Sequence, residues 1–197
     1  MKKTKLLFGL LSAGLLAASF NAHANHRGGA TFATLANGYN FFASKRSLNN
    51  ASAPTVQFGY DFTDKWAAEI GVSVINSNKK VTEEHAHGYI YSLDGIYRTD
   101  MHGNFAPYLL AGLGVTGLDP NGTDPVNQAH AELGIGSQFF ISDSIALGAE
   151  AKDLYTFSGG KNDIQLLATI SFLFGGSPAA LDYGIWKGDK SVSHNVA

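Results

Sequence analysis

Apolar residues recur at every second position in eight segments between residues 30 and 174, and this alternation constrains the fold more than any other feature. Successive side chains of an extended strand point to opposite faces, so the alternation gives each strand one apolar face. The three-to-four-residue apolar spacing of amphipathic helices is almost absent. The chain is therefore predicted to be all-β. The pattern is clearest in residues 163–174, where one face carries Ile164, Leu166, Ala168, Ile170, Phe172 and Phe174.

The connections between these segments separate two all-β architectures, because a soluble β-sandwich alternates in the same way as a membrane barrel. Short and long connections follow each other in turn, which is typical of a membrane barrel with tight periplasmic turns and longer external loops. The short connections lie at 63–64, 100–104 and 141–144, and the long ones at about 44–53, 77–86 and 118–127. Only the last external loop, around 158–162, is short.

Aromatic residues gather near the predicted strand ends, as expected for two girdles at the membrane interfaces. The turn-side girdle is predicted to contain Phe62, Trp66, Phe105, Phe139, Phe140, Phe172 and Phe174, and the loop-side girdle Phe41, Phe42, Tyr89, Tyr91, Tyr155 and Phe157. The first strand, at about 30–43, is ambiguous, because its apolar residues divide between the faces: Phe32 and Phe42 on one, Leu35, Tyr39 and Phe41 on the other.

The N-terminus has the features of an export signal. Lys2, Lys3 and Lys5 precede an apolar stretch at 6–20, and Ala22-His23-Ala24 is a small-x-small cleavage site. A retained transmembrane helix is disfavoured, since the stretch is shorter than the roughly 20 residues that a span needs. Residues 1–24 are therefore predicted to be a signal peptide, followed by a barrel domain at 25–174. The Gly-, Ser- and Pro-rich start of 175–197 indicates a disordered periplasmic tail.

The charge of the chain limits its possible binding partners, and the absence of cysteines limits how the fold can be stabilised. Loss of the three signal lysines leaves 11 basic residues against 16 acidic ones, a formal net charge of −5, which disfavours nucleic acid as a partner. There are no cysteines, so backbone hydrogen bonds and packing must hold the exported chain together. No later segment is apolar enough for a membrane helix, and lipid cannot satisfy free backbone groups, so a membrane-embedded chain must be a closed barrel.

Four segments together carry a family resemblance: LDGIYR at 93–98, FAPYLLAGLG at 105–114, FFISDSIALGAEA at 139–151 and LLATISFLFGG at 166–176. Their order resembles the OmpA-like transmembrane β-barrel family. The resemblance implies an eight-stranded antiparallel up-and-down barrel, inserted by the outer-membrane assembly machinery, with the terminal aromatics Phe172 and Phe174 as the insertion signal. The 23 residues of 175–197 are too few for the peptidoglycan-binding domain that often follows such a barrel, so cell-wall tethering is not expected.

Six charged residues are predicted to point into the barrel: Glu69, Asp94, Arg98, Glu132, Glu150 and Lys152. An eight-stranded barrel is only wide enough for side chains to fill it, so such charges must be paired or hydrated. The resemblance suggests an interior ion-pair network in which Arg98 and Lys152 face the glutamates. The network could form a narrow gated ion path or a structural plug. We favour the plug, because several pairs would have to move together before a passage opened.

The sequence gives weaker evidence for a metal site or a catalytic site. His85 and His87, beside Glu83 and Glu84, could hold a metal, but a solvated polar loop is the better interpretation, and we assign no metal, cofactor or catalytic residue. A lipid A-modifying enzyme would need a nucleophile beside a histidine and an acid, and no such signature is present.

The sequence thus favours a monomeric, non-enzymatic outer-membrane protein that supports envelope integrity. Its expected partners are outer-membrane lipids and lipopolysaccharide, the assembly machinery, and a host or envelope ligand met by the external loops. The alternatives are a narrow gated porin and a lipid A-modifying enzyme.

Overall fold

The computed structural model describes residues 27–78, 85–120 and 126–175. The predicted signal peptide and all of the predicted tail beyond Gly175 lie outside these residues. Within the described segments, no helix has the length and apolar character needed to cross a membrane.

Eight strands run antiparallel to their chain neighbours, and the first also pairs with the last, so the sheet closes on itself. The predicted eight-stranded up-and-down barrel is confirmed. A two-residue strand, Ala51–Ser52, extends the edge of the first strand within the first loop. The barrel strands are β1 Ala30–Phe41, β2 Thr55–Asp61, β3 Trp66–Asn78, β4 His85–Arg98, β5 Phe105–Pro120, β6 Val126–Ser142, β7 Ile145–Thr156 and β8 Lys161–Gly175.

The connections divide between the two ends of the barrel. The turn rim carries residues 62–65, 99–104 and 143–144, and the loop rim carries 42–54, 79–84, 121–125 and 157–160. The loops predicted at 77–86 and 118–127 are shorter than expected, because the β3–β4 and β5–β6 ladders continue beyond the apolar alternation. At the loop end of β3 and β4, for example, Asn76 pairs with His87, and the side-chain atoms Oδ1 and Nδ1 lie 2.7 Å apart.

The two faces of the wall have opposite polarity. Large apolar side chains are exposed on the outside, with Leu133 at 67%, Leu113 at 63% and Ile135 at 62%. Polar and charged side chains fill the inside. A water-soluble protein rarely exposes so continuous an apolar surface, whereas the outside of a membrane barrel is solvated by lipid.

The ambiguous first strand turns Phe32 inward and Leu35, Tyr39 and Phe41 outward. Gly59, the cross-strand neighbour of Phe32, makes room for the ring: a Cβ atom at Gly59 would lie 2.1 Å from Phe32 Cζ.

Two of the predicted girdle residues are placed differently. Phe42 and Phe140 are 7% and 4% exposed and pack inside the barrel, so their assignment to the girdles was wrong. Each lies one residue from an outward aromatic, and strand geometry therefore turns it to the opposite face. On the turn side, Trp66 instead has Tyr97 as a ring neighbour, with 4.8 Å between the ring centroids.

The interior is layered along the barrel axis. An apolar cluster that includes Phe32, Ile96 and Phe140 lies toward the turn rim. A second cluster, with Ile75 and Leu154, lies toward the loop rim. Most of the predicted interior charges lie between these clusters.

Candidate functional site

Three of the predicted interior carboxylates lie on one wall of the barrel. Cross-strand pairing sets Glu69 beside Asp94, Asp94 beside Gly112, and Gly112 beside Glu132, so the row spans β3 to β6. Gly112 leaves space for its neighbour, since a Cβ atom there would lie 1.9 Å from Asp94 Oδ1. The sheet register therefore concentrates negative charge at one level of the interior.

Lys152 approaches this wall from β7. Its Nζ atom lies 3.0 Å from Asp94 Oδ2 and 3.1 Å from Glu150 Oε1. The three side chains are at most 3% exposed, so the lysine links two strands across the interior in a region with little water. This triad, Asp94–Lys152–Glu150, is the centre of the interior site.

Neutral donors extend the triad. Tyr108 Oη donates to Glu150 Oε2 at 2.7 Å, and Gln57 Nε2 donates to Glu69 Oε1 at 2.8 Å. Gln57 Nε2 also lies 3.4 Å from Glu150 Oε1, so it bridges two glutamates. Buried polar groups that are hydrogen-bonded in this way hold a fixed arrangement of the side chains.

Arg98 is not part of the group around Lys152. Its Nη1 atom forms an ion pair with Asp61, and its guanidinium lies over the Phe32 ring at 5.2 Å, close to the turn rim. The expectation that Arg98 faces the glutamates was therefore wrong. Arg98 ends β4 and Asp61 ends β2, both at the turn rim. Glu69, Glu132 and Glu150 lie within their strands, away from this rim. Asp61 was missed, although it has the parity opposite to the outward Tyr60.

Glu132 is hydrogen-bonded to its neighbour Asp94 and also approaches His130. His130 Nε2 lies 3.9 Å from Glu132 Oε2, and His130 Nδ1 lies 3.1 Å from Thr116 Oγ1. All three side chains are buried, which gives a Thr116–His130–Glu132 series inside the barrel.

A basic side chain enters the barrel at the loop rim. Arg46, from the first loop, places Nε 2.7 Å from Asp163 Oδ2, and it donates from Nη1 to Gln128 Oε1 at 2.9 Å and from Nη2 to Thr156 Oγ1 at 2.7 Å. The same loop is also held on the opposite wall, where Asn49 N donates to Asn78 O at 2.9 Å. The first loop thus crosses the mouth of the barrel.

Arg27 enters at the turn rim. Its guanidinium lies over the Phe140 ring at 4.3 Å, and Nη1 donates to Gln138 Oε1 at 3.1 Å. Burial and the neighbouring Arg98 lower the pKa of Arg27 to about 9. Sequence reasoning missed both Arg27 and Arg46, because neither lies in an alternating segment.

An exposed ion pair lies beside Arg27 on the turn rim. Lys65 Nζ is 2.9 Å from Asp100 Oδ1. The hydrogen bond between them raises the pKa of Lys65 and lowers that of Asp100. Because both groups are in water, the pair contributes little to stability.

Two further predictions concern other regions. His87 is exposed and contacts Asn76, and no group of three or more histidine, aspartate or glutamate side chains in the described segments is arranged to hold a metal ion. The side chain of His85, and Glu83 and Glu84, lie outside the described residues. Phe172 and Phe174 point outward near the end of β8; their role as an insertion signal stays a prediction.

Comparisons with known proteins agree with this architecture. The family model for the outer membrane protein β-barrel domain matches residues 6–175. None of the curated proteins compared with the sequence matches it.

Solved barrels have the same fold. The N-terminal β-barrel domain of Pseudomonas aeruginosa OprF is 18% identical, covering 75% of this chain and 98% of that one, with a TM-score of 0.57. Neisserial surface protein A is 16% identical over 73% and 98%, with a TM-score of 0.63. The attachment invasion locus protein of Yersinia pestis is 13% identical over 75% and 99%, with a TM-score of 0.52. At these identities the likeness concerns the fold alone.

Proposed function

Because the chain belongs to the outer membrane protein β-barrel family, we propose that it is a closed, non-enzymatic scaffold that supports the envelope and presents its loops to ligands outside the cell. The predicted likeness to OmpA-like barrels is confirmed at the level of family and fold. Membership of this family places the protein in the outer membrane.

The observation that carries the proposal is the filled interior. Arg46 and the first loop occupy one mouth, Arg27 and Arg98 the other, and the Asp94–Lys152–Glu150 triad the middle. An eight-stranded barrel has no further space once such side chains fill it. A barrel closed at three levels is suited to holding its rims in place rather than to passing solutes.

The loop rim is the surface offered to external ligands. The described connections 42–54 and 157–160 lie there, and the β3–β4 and β5–β6 strand pairs also end at this rim. Binding residues are commonly carried by loops on a rigid scaffold, so ligand contact is assigned to this rim.

Conductance in planar lipid bilayers tests the closed state. We expect the wild-type protein to show no steady conductance and Arg46→Gln to show brief openings, because the first loop loses its anchor on β6, β7 and β8. Lys65→Gln, at an exposed position on the other rim, is the matched control. Steady wild-type conductance would argue against the closed scaffold.

Loop replacement tests the ligand role. Residues 79–84 and 121–125 can each be exchanged for Gly-Ser segments of equal length in intact cells. We expect loss of adhesion with unchanged insertion. Adhesion that survives both replacements would contradict a binding role for these two loops.

A narrow gated porin is the second candidate, favoured by the charged groups in the middle of the barrel. An ion could pass only if Lys152 left both Asp94 and Glu150. Lys152→Ala should then raise conductance in the same bilayers. No conductance in this variant would exclude the porin.

The Thr116–His130–Glu132 series is the feature closest to an enzyme. Its residue types are those of a nucleophile, a base and an acid, but His130 Nε2 and Glu132 Oε2 are 3.9 Å apart, too far for a hydrogen bond. The three side chains are also at most 2% exposed, so a lipid substrate would not reach them. Lipid A mass spectra from cells with and without the protein should be identical. A modified lipid A that requires the protein would favour the enzyme instead.

A further inference from the structure

Asp94 and Glu132 form a pair of buried carboxyl groups in the middle of the barrel. Asp94 lies on β4 and Glu132 on β6, and both pair across the sheet with Gly112 of β5, which lies between them. Because Gly112 has no side chain, the Asp94 carboxyl extends over β5 into the space that a Cβ atom of residue 112 would fill. The two carboxyl groups are hydrogen-bonded to each other. Two acids on different strands are thereby joined directly.

A hydrogen bond between two carboxyl groups requires a proton, because ionised carboxylates only accept hydrogen bonds. Both side chains are at most 2% exposed. Asp94 Oδ1 and Glu132 Oε1 are buried, and neither receives a hydrogen bond from an amide, hydroxyl or ammonium group. Two ionised carboxylates in this position would repel each other and would lack solvation. One shared proton removes both costs.

The surrounding contacts assign the proton to Glu132. Asp94 Oδ2 accepts from Lys152 Nζ at 3.0 Å, so Asp94 carries the negative charge that this ammonium group requires. The basic neighbour of Glu132 is His130, and His130 Nε2 lies 3.9 Å from Glu132 Oε2, too far for a hydrogen bond. With Glu132 as the acid, Asp94 accepts from Lys152 on one side and from Glu132 on the other.

The charged and titratable groups around the pair include one lysine and several acids. Those from the neighbouring strands are Glu69 of β3, Tyr108 of β5, His130 of β6, and Glu150 and Lys152 of β7. Lys152 is divided between Asp94 and Glu150, so it does not compensate Glu132. β1 contains no charged residue, and the acids of β2 and β8 bind arginines at the rims. Full ionisation of the acids at this level would therefore leave a buried excess of negative charge.

We propose that Asp94 and Glu132 form a site that binds a single proton, and that the closed interior loses stability when this proton is released. A glutamate in water titrates at about pH 4.3, so the unfolded chain has released the proton at neutral pH, whereas the folded chain keeps it. Unfolding therefore releases a proton, and stability falls as the pH rises until the folded protein also loses the proton. The site adds a pH dependence to the closed scaffold proposed above and rests on the same filled interior.

Infrared spectroscopy of the protein in lipid vesicles detects the proton directly, because a protonated carboxyl group has a C=O stretching band that carboxylates lack. The wild type should show this band at neutral pH. Glu132→Gln should lose the intensity of one carboxyl group. Glu150→Gln is the matched control and should keep the band, because Glu150 is the carboxylate that contacts Lys152 and Tyr108. No such band in the wild type, or an unchanged band in Glu132→Gln, overturns the proposal.

The pH dependence of urea unfolding in the same vesicles tests the consequence. Between about pH 6 and about pH 8 the unfolding equilibrium constant of the wild type should rise more steeply than that of Glu132→Gln, by up to about tenfold per pH unit. Glutamine keeps an N–H donor for Asp94 and does not titrate, so this variant should fold. Equal slopes, or failure of Glu132→Gln to fold at neutral pH, contradict the shared proton. Neither measurement depends on conductance, so a failure of the closed scaffold would be a separate result.

Discussion

Lys152→Met is the most direct perturbation of the barrel interior. Methionine has a similar length and no charge, so it leaves Asp94 and Glu150 as buried carboxylates without their cation. At about 3 Å each carboxylate gains roughly 5 kcal/mol from the lysine at an effective dielectric constant of 20, a gain that is largely offset by desolvation. Removing one partner of a buried pair costs about 3–5 kcal/mol, and we expect a loss of that size in unfolding free energy.

Urea unfolding in lipid vesicles, followed by tryptophan fluorescence, measures the loss. Trp66 is one of two tryptophans in the chain and is 55% exposed on the turn side, so its emission should change when it leaves the membrane interface. Lys65→Met is the control and should leave the urea midpoint unchanged, because its pair with Asp100 is in water.

A neutral triple variant separates the charge from the packing. Adding Asp94→Asn and Glu150→Gln to Lys152→Met removes the uncompensated charges, and the variant should recover at least half of the lost stability. If Lys152→Met alone costs less than about 1 kcal/mol, or the triple variant is the less stable of the two, the triad does not hold the interior as described.

Three further changes test the wall. Gly136→Ala should lower the unfolding free energy by about 1–3 kcal/mol, because a Cβ atom there would lie 2.1 Å from Tyr108 Cζ. Adding Tyr108→Ser should relieve this loss, and an unchanged urea midpoint in Gly136→Ala would contradict the predicted clash. Leu133→Arg, on the outer face, should cost about 2–4 kcal/mol in vesicles, and a cost near zero would mean that this face does not meet lipid. Phe174→Ala should reduce the heat-modifiable folded form in cells, whereas Phe139→Ala, another outward aromatic on the turn side, should not; equal effects would remove the insertion signal.

The barrel could be predicted because one physical condition acts on every strand. Lipid on one side and packed side chains on the other impose a two-residue period, which the sequence shows clearly in every segment except the first, where the apolar residues divide between the faces. The errors occurred where that condition weakens. Phe42 and Phe140 follow outward aromatics, so grouping by position along the chain ignored their parity. The ladders beyond Asn76 and Gly117 lie past the apolar region, where alternation no longer marks a strand.

The contacts of the interior site could be predicted less completely from the sequence. Parity was enough to predict that Glu69, Asp94 and Lys152 point inward, but it carries no information on which strands face each other across the barrel. Lys152 reaches Asp94 over 58 positions of sequence, and this contact depends on the tilt and stagger of the strands. Arg27 and Arg46 come from segments without any period, so only the folded barrel shows that they enter its mouths.

The packed interior of the barrel limits which parts of the protein can change conformation. Inward glycines such as Gly112 and Gly136 accommodate the large side chains beside them, so the barrel has little room for rearrangement at these levels. Its diameter is fixed by the number of strands and their stagger, so any passage has to come from movement of interior side chains. Arg46 and Arg27 are the interior charges that lie at the two rims. Arg46 is anchored on three strands through Gln128, Thr156 and Asp163, whereas the Arg27 side chain is held by one hydrogen bond to Gln138 and by the Phe140 ring, so movement of interior side chains should begin at the turn rim.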